Sequence, residues 1–236
     1  MLVSDLLSEL DLILQDPDYG VWAQNERIRW LNAAVRQVLV VRPDAHTETA
    51  TVQLVAGPYQ TIPTGHLKFL ALIKNMGTDG ATPGRVIRQV DREATDLADP
   101  TWQAMAGATE IDAVMVDPDD PLAFWVYPPV HATTAVYALL RTSVAPDPIA
   151  LTTDSPAYKA TDELDMPLVY QSPIIDYAAY RCFSSNRAEA AQAMAAGFLA
   201  SFNTSLGVKS QKDFLTAPKT REAPYGKSAK PTSYGV

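Results

Sequence analysis

The hydrophobic pattern of this chain changes its period twice, from helical to alternating and back, and that constrains the fold more than any other feature. At the start, Leu2, Leu6, Leu10, Ile13 and Leu14 recur every three or four residues, the spacing of one helical face. Ser4 and Asp5 are placed to cap and charge the first turn. After "QDPDYG" a second helical stripe runs through Ile28, Leu31, Val35, Val38 and Leu39, with Arg27, Arg29 and Arg36 mostly off it, until Pro43 stops it. From "TETATVQLVAG" the alternation is by twos: Thr49, Thr51 and Gln53 against Ala50, Val52 and Leu54, with a turn at Gly57-Pro58. Candidate strands are 48–55, 59–62, 67–75, 85–91, 112–116, 122–127 and 134–141, with a helical or coil excursion over 92–105. After Pro167 the helical period returns in Ile174, Ile175, Ala178, Ala179, Cys182 and Phe183, followed by an alanine-rich helix from about Arg187 to Leu206 with Gly207 as its stop.

This order predicts an α+β fold. The helices 2–15, 24–41, 168–184 and 187–206 each need a partner for one apolar face and are expected to form an antiparallel bundle from both chain ends. The strands between them are expected to form an inserted antiparallel, sandwich-like domain. The division is then 1–45 with 168–207, 46–167, and an extended C-terminal arm, 208–236, that is flexible on its own because it lacks aliphatic periodicity.

The stretch "FWVYPP" places four large β-favouring residues before two prolines, which donate nothing to a ladder, so the strand is expected to end at Tyr127. Side chains alternate, so Phe124 and Val126 belong to the core while Trp125 and Tyr127 face the other way. If helices leave that face uncovered, the two amphipathic rings suit a contact with a neighbouring subunit.

Charge and residue chemistry exclude several functions. The 236 residues are 47% hydrophobic, enough for a sizeable core, and carry a net charge of −8, which opposes general nucleic-acid binding. Beyond Gly207, however, Lys209, Lys212, Lys219, Arg221, Lys227 and Lys230 stand against Asp213 and Glu222, a surplus of +4 that leaves −12 for the body. Cys182 is the single cysteine, so no internal disulfide forms. No leader or membrane-spanning run is read, and cytoplasmic synthesis without membrane contact is the expectation. His46, His66 and His131 have no ligand spacing for a metal. Asp117, Asp119 and Asp120 are broken by prolines and lack the glycine of a calcium loop. Gly226-Lys227-Ser228 resembles the end of a phosphate loop, but Arg221 stands where its first glycine belongs. No nucleophile elbow or catalytic carboxylate pair is present, so neither an enzymatic activity nor a cofactor is expected.

Six stretches occur in an order that carries a resemblance: "IRWLNAAVRQVLVVRPDA" (28–45), "LALIKNMG" (70–77), "RVIRQVDREATD" (85–96), "FWVYPP" (124–129), "YAAYRCFSSN" (177–186) and "LGVKSQ" (206–211). Together they resemble a family of tailed-bacteriophage virion proteins, the head-to-tail adaptors or connectors beneath the portal. The resemblance implies a structural protein of the virion's portal vertex, assembled in the bacterial host cytoplasm. Its implied partners are the portal protein, tail nozzle or tail-tube proteins, and further copies of itself in a closed ring of about twelve, with phage DNA passing through the lumen. Where the usual form ends the penultimate helix with an acidic Ser-Lys-Asp, this chain has Ser184-Ser185-Asn186. Another virion ring, such as a head-completion or tail-terminator protein, fits the same residues. A phage-encoded enzyme fits less well, because it needs a catalytic constellation.

Taken alone, the basic arm suits a solvated terminus, a DNA-touching arm or a docking peptide. Similar connectors use a C-terminal extension to reach into the portal. That resemblance makes Phe214, Tyr225 and Tyr234 the anchors, with Arg221, Lys227 and Lys230 steering toward an acidic surface.

Overall fold

In a computed structural model the chain is a mixed α/β protein of five α-helices and two antiparallel-rich sheets, described over residues 1–117, 119–152, 158–159, 161–186 and 188–216, with side chains to Gly207. The helices are α1 (Val3–Leu14), α2 (Gln24–Val41), α3 (Arg92–Ala98), α4 (Gln171–Ser185) and α5 (Glu189–Thr216). The strands are β1 (Thr47–Leu54), β2 (Gly57–Thr61), β3 (His66–Asn75), β4 (Arg88–Gln89), β5 (Ala113–Val116), β6 (Ala123–Val130) and β7 (Val136–Val144).

The helices of both chain ends share one apolar core. Val3, Leu6, Leu7 and Leu10 of α1 meet Ile28, Leu31 and Val35 of α2, and Ile174, Ala178 and Cys182 of α4. α4 is the hub, packing on α1, α2 and α5, with Phe183 stacked on Phe198 at 5.7 Å and Tyr177 beside Phe202 at 5.2 Å. Ile149, Leu164 and Met166 join the same core. Asn32 ties this connection to α2 by hydrogen bonds in both directions with the Ile149 main chain, at 2.9 and 3.0 Å.

The turn between α1 and α2 is built around Arg27, expected off the apolar stripe but wholly buried. Its guanidinium bonds the Asp11 carboxylate, the Asp16 carboxylate at 2.6 Å and the Asp16 carbonyl at 2.7 Å. Its Nε–H donates to the Trp22 carbonyl at 3.0 Å, and the group lies 4.5 Å from the Tyr19 ring centre. Asp16 also accepts the N–H groups of Trp22, Val21 and Gly20 at 2.9–3.1 Å, which, that of Trp22 foremost, hold its carboxyl below the ordinary range. The turn then delivers Trp22 to the end of α4, where its indole donates to the Cys182 carbonyl at 2.9 Å.

The unusual Ser184-Ser185-Asn186 closes α4 with neutral groups. Ser185 donates to the Cys182 carbonyl at 2.6 Å, Ser184 to the Arg181 carbonyl at 3.0 Å, and Asn186 accepts the Ala188 N–H at 3.0 Å. No acidic group is needed to turn the chain here.

The first sheet has the order β1-β7-β3 and the second β2-β6-β5-β4, antiparallel except for the short β4–β5 pair. They share a core in which Leu54, Phe69, Leu72 and Leu140 face Val114, Phe124 and Val126, with Phe69 and Phe124 stacked at 4.5 Å. The buried Asn75 carboxamide bridges the sheets by bonding the Ile111 main chain in both directions at 2.8 Å.

Four local expectations are corrected. Ser4 and Asp5 do not cap α1: its N-cap position is Leu2, and the Val3 N–H is met at 3.0 Å by the Asp162 carbonyl. The strand expected over 85–91 is reduced to Arg88–Gln89, a parallel partner of β5. β6 continues through Pro128 and Pro129 to Val130. They are tolerated because the β5 ladder ends at Tyr127, while β2 skips from Tyr59, opposite Trp125, to Gly57, opposite Val130. α5 does not stop at Gly207 but runs to Thr216, since one helical glycine costs only about 1 kcal/mol relative to alanine.

Replacing Arg27 with methionine leaves Asp11 and Asp16 without their cation and is expected to cost about 3–5 kcal/mol, measured by urea unfolding; Arg29→Met on the exposed side of α2 is expected to stay within about 0.5 kcal/mol. Acid is expected to loosen the fold as well. Asp79 is lowered from 3.8 to about 2, chiefly by the Ala81 N–H and Thr82. A carboxyl depressed in the folded state stabilises above its unfolded value and loses that contribution as pH falls through its folded one. The melting temperature is therefore predicted to drop as pH is taken from 3.8 to about 2, and Asp79→Asn is predicted to remove part of that dependence.

Candidate functional site

The aromatic face of β6 is the most elaborated surface on the β side. Alternation puts Phe124 and Val126 into the shared core, at 1% and 0% exposure, and turns Trp125 and Tyr127 to the other face. That face is partly roofed by the chain itself. α3 and the turn Trp102–Ala104 lay the fully buried Trp102 edge-on to Trp125 at 6.2 Å and Tyr127 at 6.1 Å. Trp102 is held there by its indole N–H, which donates to Asp96 at 2.6 Å. Arg92 stacks 4.3 Å from the Trp125 ring, and Tyr59, opposite Trp125 on β2, meets it edge-on at 5.0 Å. Both sequence-derived residues are therefore half-buried, and the indole N–H of Trp125 finds no hydrogen-bond partner among the described residues. The open rim carries Tyr59, whose hydroxyl pKa is pushed up by desolvation and by Asp120.

A second feature escaped sequence reasoning. An apolar groove of about 500 Å³ lies where α2 meets the first sheet, lined by Leu39, Val40, Pro43, Leu67 and Ala145, with Arg36 and Lys68 in its lining. Its residues come from distant stretches, so no local motif announces it.

Of the sequence-derived arm, Phe214 lies on the backbone of α5, whereas Arg221, Tyr225, Lys227, Lys230 and Tyr234 fall outside the described residues.

The other polar side chains singled out in the sequence have local structural work. His66 bonds Thr142 at 2.6 Å, His46 bonds the Val144 carbonyl and Asp165, and His131 accepts the N–H groups of Thr133 and Thr134. Asp117 and Asp120 accept N–H groups of their own turn. Burial raises the Cys182 thiol to about 12, which suppresses the reactive thiolate. Among the described residues no group of three potential metal ligands comes together, and no helix is long and apolar enough to cross a membrane. What the surface offers is shape and contact.

A protein-family model described as "SU10 adaptor protein" matches residues 1–222. The chain belongs to the SU10 adaptor protein family. This is a family of phage structural adaptors, not a class of enzyme, and membership implies a place in the virion and contact with its other components. No curated protein matches the chain.

Truncating Trp102 to alanine removes the roof over Trp125 and Tyr127. It is predicted to cost about 3–5 kcal/mol, the range for deleting a buried large aromatic. The loss is read by denaturant midpoint, with a rise in the fluorescence quenching of Trp125 by iodide.

Proposed function

We propose that this chain is a head-to-tail adaptor of a tailed bacteriophage. In this reading a closed ring of about twelve copies sits beneath the portal, joins it to the tail nozzle or tail-tube proteins, and helps to retain and conduct DNA. The observation that carries it is the family match over residues 1–222. The charge distribution supports it, since a body at −12 disfavours adhesion of DNA passing a lumen of like charge.

The contact with the portal is assigned to the basic arm. Phe214, Tyr225 and Tyr234 are its anchors, and Arg221, Lys227 and Lys230 steer it toward acidic partner surface. An arm that orders on binding covers much surface at modest affinity. The exposed rim around Trp125 and Tyr127 is assigned to contact between neighbouring copies. Trp125→Ala tests that assignment: weaker ring assembly supports it, and unchanged assembly with only a loss of subunit stability removes it.

Deleting residues 217–236 tests the arm. The truncated chain is predicted to keep its melting temperature, because the sequence of the deleted segment carries no periodic apolar stripe, to fail to join portals, and to yield heads that leak DNA. Unchanged attachment places the portal contact in the folded body instead.

A further inference from the structure

Among the described residues the fold guards three of its four sheet edges and leaves the fourth open. β3 breaks register with β7 at three places and carries Lys68 and Lys74. Its outer main chain is already used: Phe69 donates to the Pro121 carbonyl at 2.8 Å, Asn75 to the Arg85 carbonyl at 2.9 Å, and Ile73 accepts the Ile87 N–H at 3.1 Å. β2 is five residues long, with Pro58 and a register shift, and β4 has only two residues. Bulges, lysines, prolines, shortness and cover are the usual protections of an edge. Among the described residues β1 has none of them. It pairs with β7 over eight residues without a shift, contains no proline, lysine or arginine, and has Glu48 as its single charge.

The ladder fixes which groups face outward. Val144 donates to the His46 carbonyl at 3.2 Å, and bonding residues alternate in an antiparallel pair. Glu48, Ala50, Val52 and Leu54 therefore bond β7, while Thr47, Thr49, Thr51 and Gln53 aim their N–H and C=O groups away. The far side agrees, because Tyr137, opposite Gln53, spends both main-chain groups on Met76 and Gly77 beyond β3's end. Among the described residues nothing bonds the main chain of the four outward residues, and their side chains are exposed and uncharged.

We propose that in the assembled adaptor a neighbouring copy of this chain adds an extended segment along the free edge of β1, as a further strand of the first sheet. This rests on the adaptor reading. Charge selects the occupant. A copy carrying the same −8 is repelled by most of the acidic surface and approaches best where charge is sparse, as along β1 with Glu48 alone, and the attraction is between main chains, whereas a basic partner gains little from a single carboxylate. The contact is heterologous, since the edge that receives is not the segment that is given, as a ring requires.

The test compares assembled wild-type particles with the isolated chain by amide hydrogen exchange, with a photo-crosslinking residue at Gln53. The amides of Thr47, Thr49, Thr51 and Gln53 are expected to exchange fast in the isolated chain and to slow about tenfold or more on assembly, while those of Glu48, Ala50, Val52 and Leu54 are protected in both. The crosslink is expected to join two copies. Thr49→Pro, which removes an outward donor but no bond to β7, is expected to reduce incorporation about tenfold. Outward amides as fast in particles as in isolation, or crosslinks to another virion protein alone, overturn the proposal. Absence of the chain from particles refutes the adaptor reading instead, and the same two measurements on the concentrated purified chain then decide the edge.

Discussion

A single guanidinium, that of Arg27, organises the junction on which the helical half depends. It is fully buried between two carboxylates, a carbonyl from each side of the turn and the ring of Tyr19. Burying a cation is costly unless its hydrogen bonds and charge are met, and here all three of its nitrogens have partners. The compensation is specific to one geometry of residues 16–23. That geometry sets the angle between α1 and α2 and places Trp22 against Cys182 and Phe183 at the end of α4. α4 in turn seats α5, so the placement of the last described helix follows from a turn near the start of the chain.

The same economy of chemistry runs through the β half. Its histidines, aspartates and buried amides are engaged in closing turns and joining sheets, as Asn75 does at Ile111 and Gln60 does at Val55. Trp102 is locked under its own chain, and burial on α4 pushes the Cys182 thiol up to about 12. A scaffold that spends its polar groups internally has main-chain edges, grooves and terminal segments left for partners, which suits a subunit of a structural assembly.

Much of the fold was legible because the periodicity was clean. α2 appears over 24–41 as its apolar stripe and Pro43 required, and the alternation of β1, β3 and β7 marks those strands to within a few residues. Departures have local causes. Arg27 lies four residues before Leu31 and so shares its face, a placement that spacing contained but that the charge of the side chain argued against. Gly207 and the prolines of β6 read locally as stops, yet a single glycine costs a helix only about 1 kcal/mol and α5 runs through it, and a proline at a ladder gap does not end a strand. The roof over Trp125, the groove beneath Val40 and the openness of β1 depend on which elements are neighbours in space. Strand order is non-local, so no pattern within one segment reveals it.

The adaptor assignment depends most directly on where the chain sits in the particle. A cryo-EM reconstruction of the portal vertex decides it: density for the folded body repeated around a closed ring between portal and tail, with the 217–236 segment rising toward the portal, is the predicted result. Its absence from that level, or its presence as isolated copies elsewhere on the virion, would contradict the adaptor assignment.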